Sequence, residues 1–161
     1  MPFTESSMTP AKSSLRVPFF RQRTEYTCGP RALQMVLAYY GTRVTISALL
    51  KICKAKKSTG TERKHLIAAA SSFGYRVHAK NDSNISAVCS YVARGIPVIV
   101  NYRHISSEGH YAVVVGCTRT DLILNDPWYG AGWRISKQDF LKRWYGYHVN
   151  KHTRWMMAVY T

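Results

Sequence analysis

Cys28 is the residue of this chain best placed to act as a nucleophile. It stands in the run QRTEYTCGP, directly before the apolar pattern of a helix. A helix N-terminus carries about half a unit of positive charge and unpaired N–H groups, which favour a thiolate over a thiol. Upstream of Cys28, Gln22 offers a neutral amide N–H suited to a developing oxyanion. The pattern therefore predicts acyl transfer through sulfur.

A nucleophilic cysteine needs a base, and His110 is the best candidate. It opens the apolar strand pattern HYAVVVG. The next apolar run ends on Asp126 before a proline, and a short turn at residues 118–120 makes the two runs an antiparallel pair. Pairing brings Asp126 back towards His110, where a carboxylate would hold the imidazole by its second nitrogen. If the register slips by one residue, Asn125 takes this role instead.

The elements that must hold these residues are helices early in the chain and strands late. Residues 28–40 carry apolar side chains at helical spacing, and Gly41 follows as a typical left-handed cap. Because of this order we expect an α+β fold, in which the helix that begins at Cys28 packs on a C-terminal antiparallel sheet. Periodicity predicts further helices at 47–53, 61–73, 85–93 and 137–144, and strands at 75–79, 97–102, 110–116, 122–125, 133–135 and 155–160.

Length and composition predict one compact domain. A chain of 161 residues buries about two-thirds of the surface that its unfolded form exposes. Residues 1–15 are polar and turn-rich, so we expect a flexible lead-in there and a single domain over residues 16–161. The sequence has no secretory signal pattern and no apolar stretch near the ~20 residues that cross a bilayer. We therefore expect a cytoplasmic protein without stable membrane insertion, although leaderless export as an effector would leave no mark.

The cysteines indicate reduced thiols and no metal. Cys28, Cys53, Cys89 and Cys117 form no C-x-x-C pair and no zinc-ligand spacing. We therefore predict free thiols rather than disulfides. Apart from Cys28, the cysteines fall at apolar positions of predicted helices and strands, which is typical of core residues. We predict no metal and no cofactor.

The net charge is the feature least expected of an intracellular enzyme. Twenty-three Lys and Arg against 8 Asp and Glu leave a formal charge of +15. Such a field attracts acidic peptides, nucleic acids and anionic membranes alike. The basic residues form only modest clusters, at 54–57, 63–64 and 142–143, without interleaved aromatic residues. Solvated surface charge is the simplest explanation, an acidic peptide or protein substrate comes next, and nucleic acid comes last.

The four candidate residues stand in motifs that resemble one family. The motifs are Gln-x5-Cys-Gly, His-Tyr-x-Val-Val-x-Gly and Asn-Asp-Pro-x-x-Gly. They resemble the papain-like cysteine peptidases that remove double-glycine leaders from bacteriocin and pheromone precursors, and the resemblance runs from about Val17 to the end. It implies a papain-like fold and cleavage after Gly-Gly or Gly-Ala. Members of this family commonly precede a membrane exporter and an ATPase, but 161 residues leave no room for either, so we expect a stand-alone member. It also implies roles for four residues: Cys28 as nucleophile, His110 as base, Asp126 as orienting residue and Gln22 as oxyanion donor.

Two other classes of function use the same features. An acyltransferase or amidase would keep the same catalytic residues and replace water by an amine. A non-catalytic domain that binds acidic peptides or nucleic acid would instead depend on the positive charge. The presence of Cys28 together with a candidate base favours the cysteine peptidase.

Overall fold

The helices and strands follow the predicted order. The computed structural model describes residues 14–104, 107–145 and 154–161, so residues 1–13 of the predicted lead-in lie outside the described residues. Small shifts at the ends of elements are the main difference from prediction. In chain order the elements are α1 (Cys28–Tyr39), α2 (Ile46–Ile52), α3 (Arg63–Ser72), β1 (Arg76–Lys80), α4 (Ile85–Ala93), β2 (Val98–His104), β3 (Ser107–Cys117), β4 (Asp121–Asp126), β5 (Gly130–Ser136), α5 (Lys137–Arg143) and β6 (Met156–Tyr160).

The strands form one antiparallel sheet with the order β1-β6-β2-β3-β4-β5. The C-terminal strand β6 lies inside the sheet, between β1 and β2. At the centre, the register of β2 and β3 pairs Val98 with Val114 and Tyr102 with His110. The prediction of an α+β fold with a C-terminal antiparallel sheet is confirmed.

The sheet buries apolar side chains on both faces. One face packs against α1, α2 and α3, and the other packs against α4 and α5. Successive strand residues point to opposite faces, so Ile99 belongs to the first cluster while Val98 and Val100 belong to the second. The sheet is therefore the shared wall of two cores, and the strands that carry the candidate site cannot shift independently of either.

Helix α1 is the central helix of the first core. Its buried positions cover most of its circumference, because α2, α3 and β3 surround it. Pro30 lies in the first turn, where its missing N–H costs no helical hydrogen bond. The helix ends before Gly41, whose φ of 89° is the predicted left-handed cap. This packing fixes the start of α1, and therefore Cys28, against β3.

Residues 15–22, called the strap below, contact β3 and β4. Leu15, the last residue of the predicted lead-in, donates its N–H to the Val115 carbonyl at 2.7 Å. The register of β3 with β4 shifts between Val114 and Gly116. Val115, whose carbonyl accepts the hydrogen bond from Leu15, therefore lies at an irregularity in the pairing of these strands. Farther along, the N–H of Gln22 donates to the Pro127 carbonyl at 2.9 Å. The strap thus delivers Gln22 to the turn that follows Asp126.

Cys89 and Cys117 form a disulfide, so the prediction of free thiols is wrong for this pair. The packing of α4 on the end of β3 brings their Cα atoms to 5.9 Å, within the range of a bridge. Spacing along the sequence could not reveal the pair, because its proximity depends on how a helix lies across a strand. Cys28 and Cys53 are free and buried. Within the described ranges, none of the helices is both long and apolar enough to span a bilayer.

Candidate active site

Cys28 is the first residue of α1, at the helix N-terminus that the sequence predicted. The residue is only 7% exposed, so it lies just below the protein surface. No acidic residue lies in the first turn of α1, and the positive end of the helix is left to act on the sulfur.

His110 lies on β3, and its side chain interacts with that of Cys28, which helps to raise the pKa of the imidazole. Its Nε2 contacts Asp126 Oδ1 at 2.8 Å, so Nδ1 is the ring nitrogen left for the sulfur. Burial lowers the pKa of His110, but the hydrogen bonds with Asp126 and Cys28 outweigh it and raise the pKa to about 9. The imidazolium form is therefore stabilised at neutral pH.

Asp126 is fully buried at the end of β4 and accepts several hydrogen bonds. Its Oδ1 contacts His110 and also accepts from the backbone N–H groups of Trp128 and Tyr129, at 2.9 and 3.0 Å. Its Oδ2 accepts from the Tyr102 hydroxyl. Burial raises the pKa of Asp126, but the contacts with His110 and Tyr102 hold it below the ordinary 3.8. The carboxylate is thus held ionised beside the imidazole.

Asn125, the alternative partner of His110, has a different position. Its Nδ2 donates to the Val17 carbonyl at 3.0 Å, and its Oδ1 accepts from the Gly132 N–H at 3.2 Å. The nitrogen end of the amide therefore binds the backbone of the strap, and the oxygen end binds the backbone of β5. Asp126, rather than Asn125, is therefore the residue that contacts His110.

Gln22 is buried in the loop before α1, with 5% of its surface exposed. Its Nε2 donates to the Thr24 carbonyl at 2.9 Å and makes a long contact of 3.5 Å with the Glu25 carbonyl. These acceptors identify the nitrogen end of the amide. Among the described residues, Oε1 has no hydrogen-bond partner. One N–H of the Gln22 amide therefore makes a normal hydrogen bond, and the other makes only a weak one.

Sequence reasoning missed Tyr102. The residue ends the predicted strand 97–102, where an aromatic side chain reads as an ordinary core residue. A signal existed only in the pairing of β2 with β3, which sets Tyr102 opposite His110.

The aromatic residues after Asp126 lie at the surface near the candidate site. Trp128 is 45% exposed, and the rings of Tyr129 and Trp133 stack at 4.5 Å between centroids. Arg21 donates to the Trp128 carbonyl at 2.6 Å, which ties this turn to the strap. In the same described ranges, no three His, Cys, Asp or Glu side chains are grouped to hold a metal ion.

Comparison with known sequences points to one family. The model of the Peptidase_C39 like family matches residues 14–151. The Pediocin PA-1 transport/processing ATP-binding protein PedD of Pediococcus acidilactici is 32% identical over 124 residues, which are 76% of this chain and 17% of that protein. The Mesentericin-Y105 transport/processing ATP-binding protein MesD of Leuconostoc mesenteroides is 27% identical over 138 residues, 83% of this chain and 18% of that protein. The chain thus spans less than a fifth of either relative.

Solved structures share the fold. The peptidase domain of Streptococcus ComA, a bi-functional ABC transporter involved in a quorum sensing pathway, superposes with a TM-score of 0.73 at 25% identity, covering 88% of this chain and 96% of that chain. A double glycine motif protease from an AMS/PCAT transporter, solved with its leader peptide, superposes with a TM-score of 0.74 at 20% identity, covering 92% and 94%. The predicted papain-like cysteine peptidase fold is confirmed.

Proposed function

Since this chain belongs to the Peptidase_C39 like family, we propose that it is a cysteine peptidase with Cys28 as nucleophile and His110 as general base. The observation that carries the proposal is the buried contact of His110 with Asp126 at 2.8 Å, made by an imidazole that also interacts with Cys28. A nucleophile, a base and an orienting carboxylate in contact form the arrangement that covalent acyl transfer requires.

The proposed reaction passes through a thioester. His110 takes the proton of Cys28, and the thiolate adds to the scissile carbonyl carbon. The resulting oxyanion collapses, the peptide C–N bond breaks, and His110 returns the proton to the leaving amine. Water, deprotonated by His110, then attacks the thioester carbonyl, and the C–S bond breaks to release the acid, which leaves the Cys28 thiolate beside the protonated His110.

The pKa of His110 supports an ion pair with Cys28 before substrate arrives. The value of about 9 keeps the imidazole protonated at neutral pH, and the N-terminus of α1 favours the negative sulfur. The ionised Asp126 balances the imidazolium. The thiolate–imidazolium pair is therefore the ground state that we propose.

Gln22 is the proposed side-chain donor to the oxyanion, together with the backbone N–H of Cys28. Its long 3.5 Å contact with the Glu25 carbonyl is weak by the geometry of hydrogen bonds. Because the amide is planar, its two N–H groups move together, and a small rotation of the whole group replaces this weak contact by one with the oxyanion while the Thr24 carbonyl stays within reach. A preorganised amide donor of this kind contributes about 10²–10³ in kcat.

The proposed substrate is a peptide precursor cut after a Gly-Gly or Gly-Ala pair. The processing proteins and the leader-bound protease to which this chain is similar support this substrate class. The net charge of +15 adds attraction for precursors with acidic leaders.

Alkylation of Cys28 tests the proposed thiolate without knowledge of the substrate. Iodoacetamide labelling is followed against pH by peptide mass spectrometry, with glutathione as the reference thiol and Cys53 as a buried internal control. We expect Cys28 to react rapidly near pH 6 and the His110→Ala variant to lose this reactivity, because activated thiols titrate at roughly 3.5–7.5. A Cys28 that reacts no faster than glutathione at this pH would contradict the proposal.

Peptides then test the substrate. Matched acidic peptides that contain Gly-Gly or Leu-Leu at the cleavage position are incubated with wild type and with Cys28→Ala. We expect wild type alone to cut, and only after Gly-Gly. The mass of the released acid identifies hydrolysis, whereas a product joined to an added amine identifies an acyltransferase. Equal cutting of both peptides would contradict the proposed preference.

A further inference from the structure

Tyr102 joins the buried pair of His110 and Asp126 beside Cys28. It lies on β2 directly opposite His110 of β3 and is fully buried. Its hydroxyl donates to Asp126 Oδ2, while Oδ1 of the same carboxylate contacts His110. Tyr102 and His110 therefore hold the two oxygens of one carboxylate.

We propose that Tyr102 is a positioning residue of this site, whose hydroxyl locks the rotation of the Asp126 carboxylate and so presents Oδ1 to His110. The inference rests on the proposed function and extends it to a residue outside the predicted set. Tyr102 acts through Asp126 and His110, and it does not contact the reacting atoms.

The need for a lock follows from the freedom of an aspartate side chain. The terminal torsion of Asp is broad and roughly two-fold, so its carboxylate is not held by rotamer preference. The N–H groups of Trp128 and Tyr129 hold Oδ1. In the described part of the chain, Tyr102 supplies the hydrogen bond to Oδ2. An O–H donor to a carboxylate makes a charge-assisted bond, which is stronger than a neutral one.

The ring of Tyr102 is also wedged between the site and α5. It meets the His110 ring edge-on at 5.8 Å between centroids and packs on the Phe140 ring at 5.6 Å. Phe140 is fully buried. These ring contacts keep the hydroxyl in place, and they survive a change from tyrosine to phenylalanine. The hydroxyl can therefore be tested apart from the packing.

Tyr40 supplies a matched control. Its hydroxyl donates to the backbone carbonyl of Val159 at 2.7 Å, so it also joins elements that are far apart in the chain. Its acceptor is a neutral backbone group in the first core, and the described contacts of Tyr40 do not include Cys28, His110 or Asp126. Tyr40→Phe thus removes a structural hydroxyl and leaves the site intact.

The experiment compares Tyr102→Phe and Tyr40→Phe with wild type. The readouts are the pH profile of Cys28 alkylation and, on the Gly-Gly peptide, kcat and KM. We expect Tyr102→Phe to lower kcat about tenfold with little change in KM, because a hydrogen bond to a charged group is lost. We also expect the acidic limb of the alkylation profile of Tyr102→Phe to lie at higher pH than that of wild type, because the loss of a hydrogen-bond donor to the ionised carboxylate raises the pKa of Asp126. Tyr40→Phe should leave both profiles unchanged.

A double-mutant cycle with Asp126→Asn separates positioning from general destabilisation. If Tyr102 acts through the carboxylate, adding Tyr102→Phe to Asp126→Asn causes no further loss of kcat. Fully additive losses would overturn the proposal, as would a wild-type profile in Tyr102→Phe or an equal loss in Tyr40→Phe. Slow alkylation of Cys28 in wild type itself would instead overturn the proposed function, and this inference with it.

Discussion

The candidate site depends, at the scale of residues, on two buried groups that stabilise each other's charge. His110 is 3% exposed and Asp126 is fully buried, and an isolated charge at either position would be costly. Their 2.8 Å contact, with the donors around Asp126, offsets that cost. Removing one partner leaves the other charge buried and unpaired, which is strongly destabilising.

The pKa of His110 makes the stability of the fold depend on pH. Its folded value of about 9 lies above the ordinary 6.5, so between these values His110 holds a proton in the folded state that it has lost in the unfolded state. The stabilisation by His110 is fully present below pH 6.5 and is lost as pH rises through about 9. The limiting slope is about 1.4 kcal/mol per pH unit.

Urea unfolding across this pH range measures the effect. We expect the free energy of unfolding of Cys28→Ala, in which His110 titrates without the thiol, to fall towards pH 9, and that of Cys28→Ala/Asp126→Asn to fall less, because the neutral amide no longer favours the imidazolium. Parallel pH dependence in the two proteins would contradict this assignment.

The site depends, at the scale of elements, on how closely α1 approaches β3. Gly29, next to Cys28, lies at the point of contact. A Cβ built on Gly29 would lie 3.2 Å from both Thr61 Cβ and Tyr111 Cδ2. The Tyr111 hydroxyl donates to the Thr61 carbonyl at 2.9 Å, so these neighbours are tied to each other. A side chain here would be closer to its neighbours than ordinary packing allows, so glycine favours the close approach of the helix that brings Cys28 to His110.

Gly29→Ala should push the start of α1 away from β3. We expect a loss of about 1–3 kcal/mol in unfolding free energy from overpacking, together with slower alkylation of Cys28 near pH 6. Gly74→Ala is the matched control, because Gly74 has a φ of 87° and open space around it. This control should be destabilised by backbone strain while Cys28 keeps its reactivity. Unchanged Cys28 reactivity in Gly29→Ala would show that the close contact does not position the thiol.

The disulfide joins α4 to the end of β3 away from His110. A bridge across 28 residues stabilises a fold by about 2–4 kcal/mol. We expect the Cys89→Ser/Cys117→Ser variant to lose that amount in denaturant unfolding and to keep rapid alkylation of Cys28. Dithiothreitol should destabilise wild type to the same level and leave the variant unaffected. Equal stability of wild type with and without reductant would argue against the bridge in solution.

At the scale of the whole molecule, the surface is strongly basic while the candidate site is internally balanced. Of 8 acidic residues in the chain, Asp126 is committed to His110. The excess charge therefore acts from the surface on whatever approaches, and it raises the rate of encounter with acidic molecules.

Salt should reveal this long-range attraction. For Gly-Gly peptides that differ only in the charge of the leader, we expect kcat/KM for the acidic peptide to fall as NaCl rises from about 0.01 to about 1 M, because the screening length shrinks from about 30 to about 3 Å. The neutral peptide should change little. Equal salt dependence for both peptides would exclude surface charge as a determinant of substrate choice.

Much of the fold, and the residues of the candidate site, could be predicted from short segments of the sequence. The helix that begins at Cys28, the strand that begins near His110 and the turn after Asp126 each follow from apolar spacing, glycine and proline within a few residues. The helix start was least accurate at α3, which the sequence placed at residue 61. Glu62 remains extended as the N-cap residue, so α3 begins at Arg63. Such ends depend on capping geometry, which periodicity does not resolve.

The sequence by itself determined which side chains this protein has for thiol chemistry and which elements carry them, because those signals repeat at helical or strand periods. Only the tertiary structure decided that Tyr102 bonds to Asp126 and that Cys89 meets Cys117. These pairs are 24 and 28 residues apart in the chain. Their distance is set by the strand register and the packing of a helix across the sheet, which depend on all the elements at once.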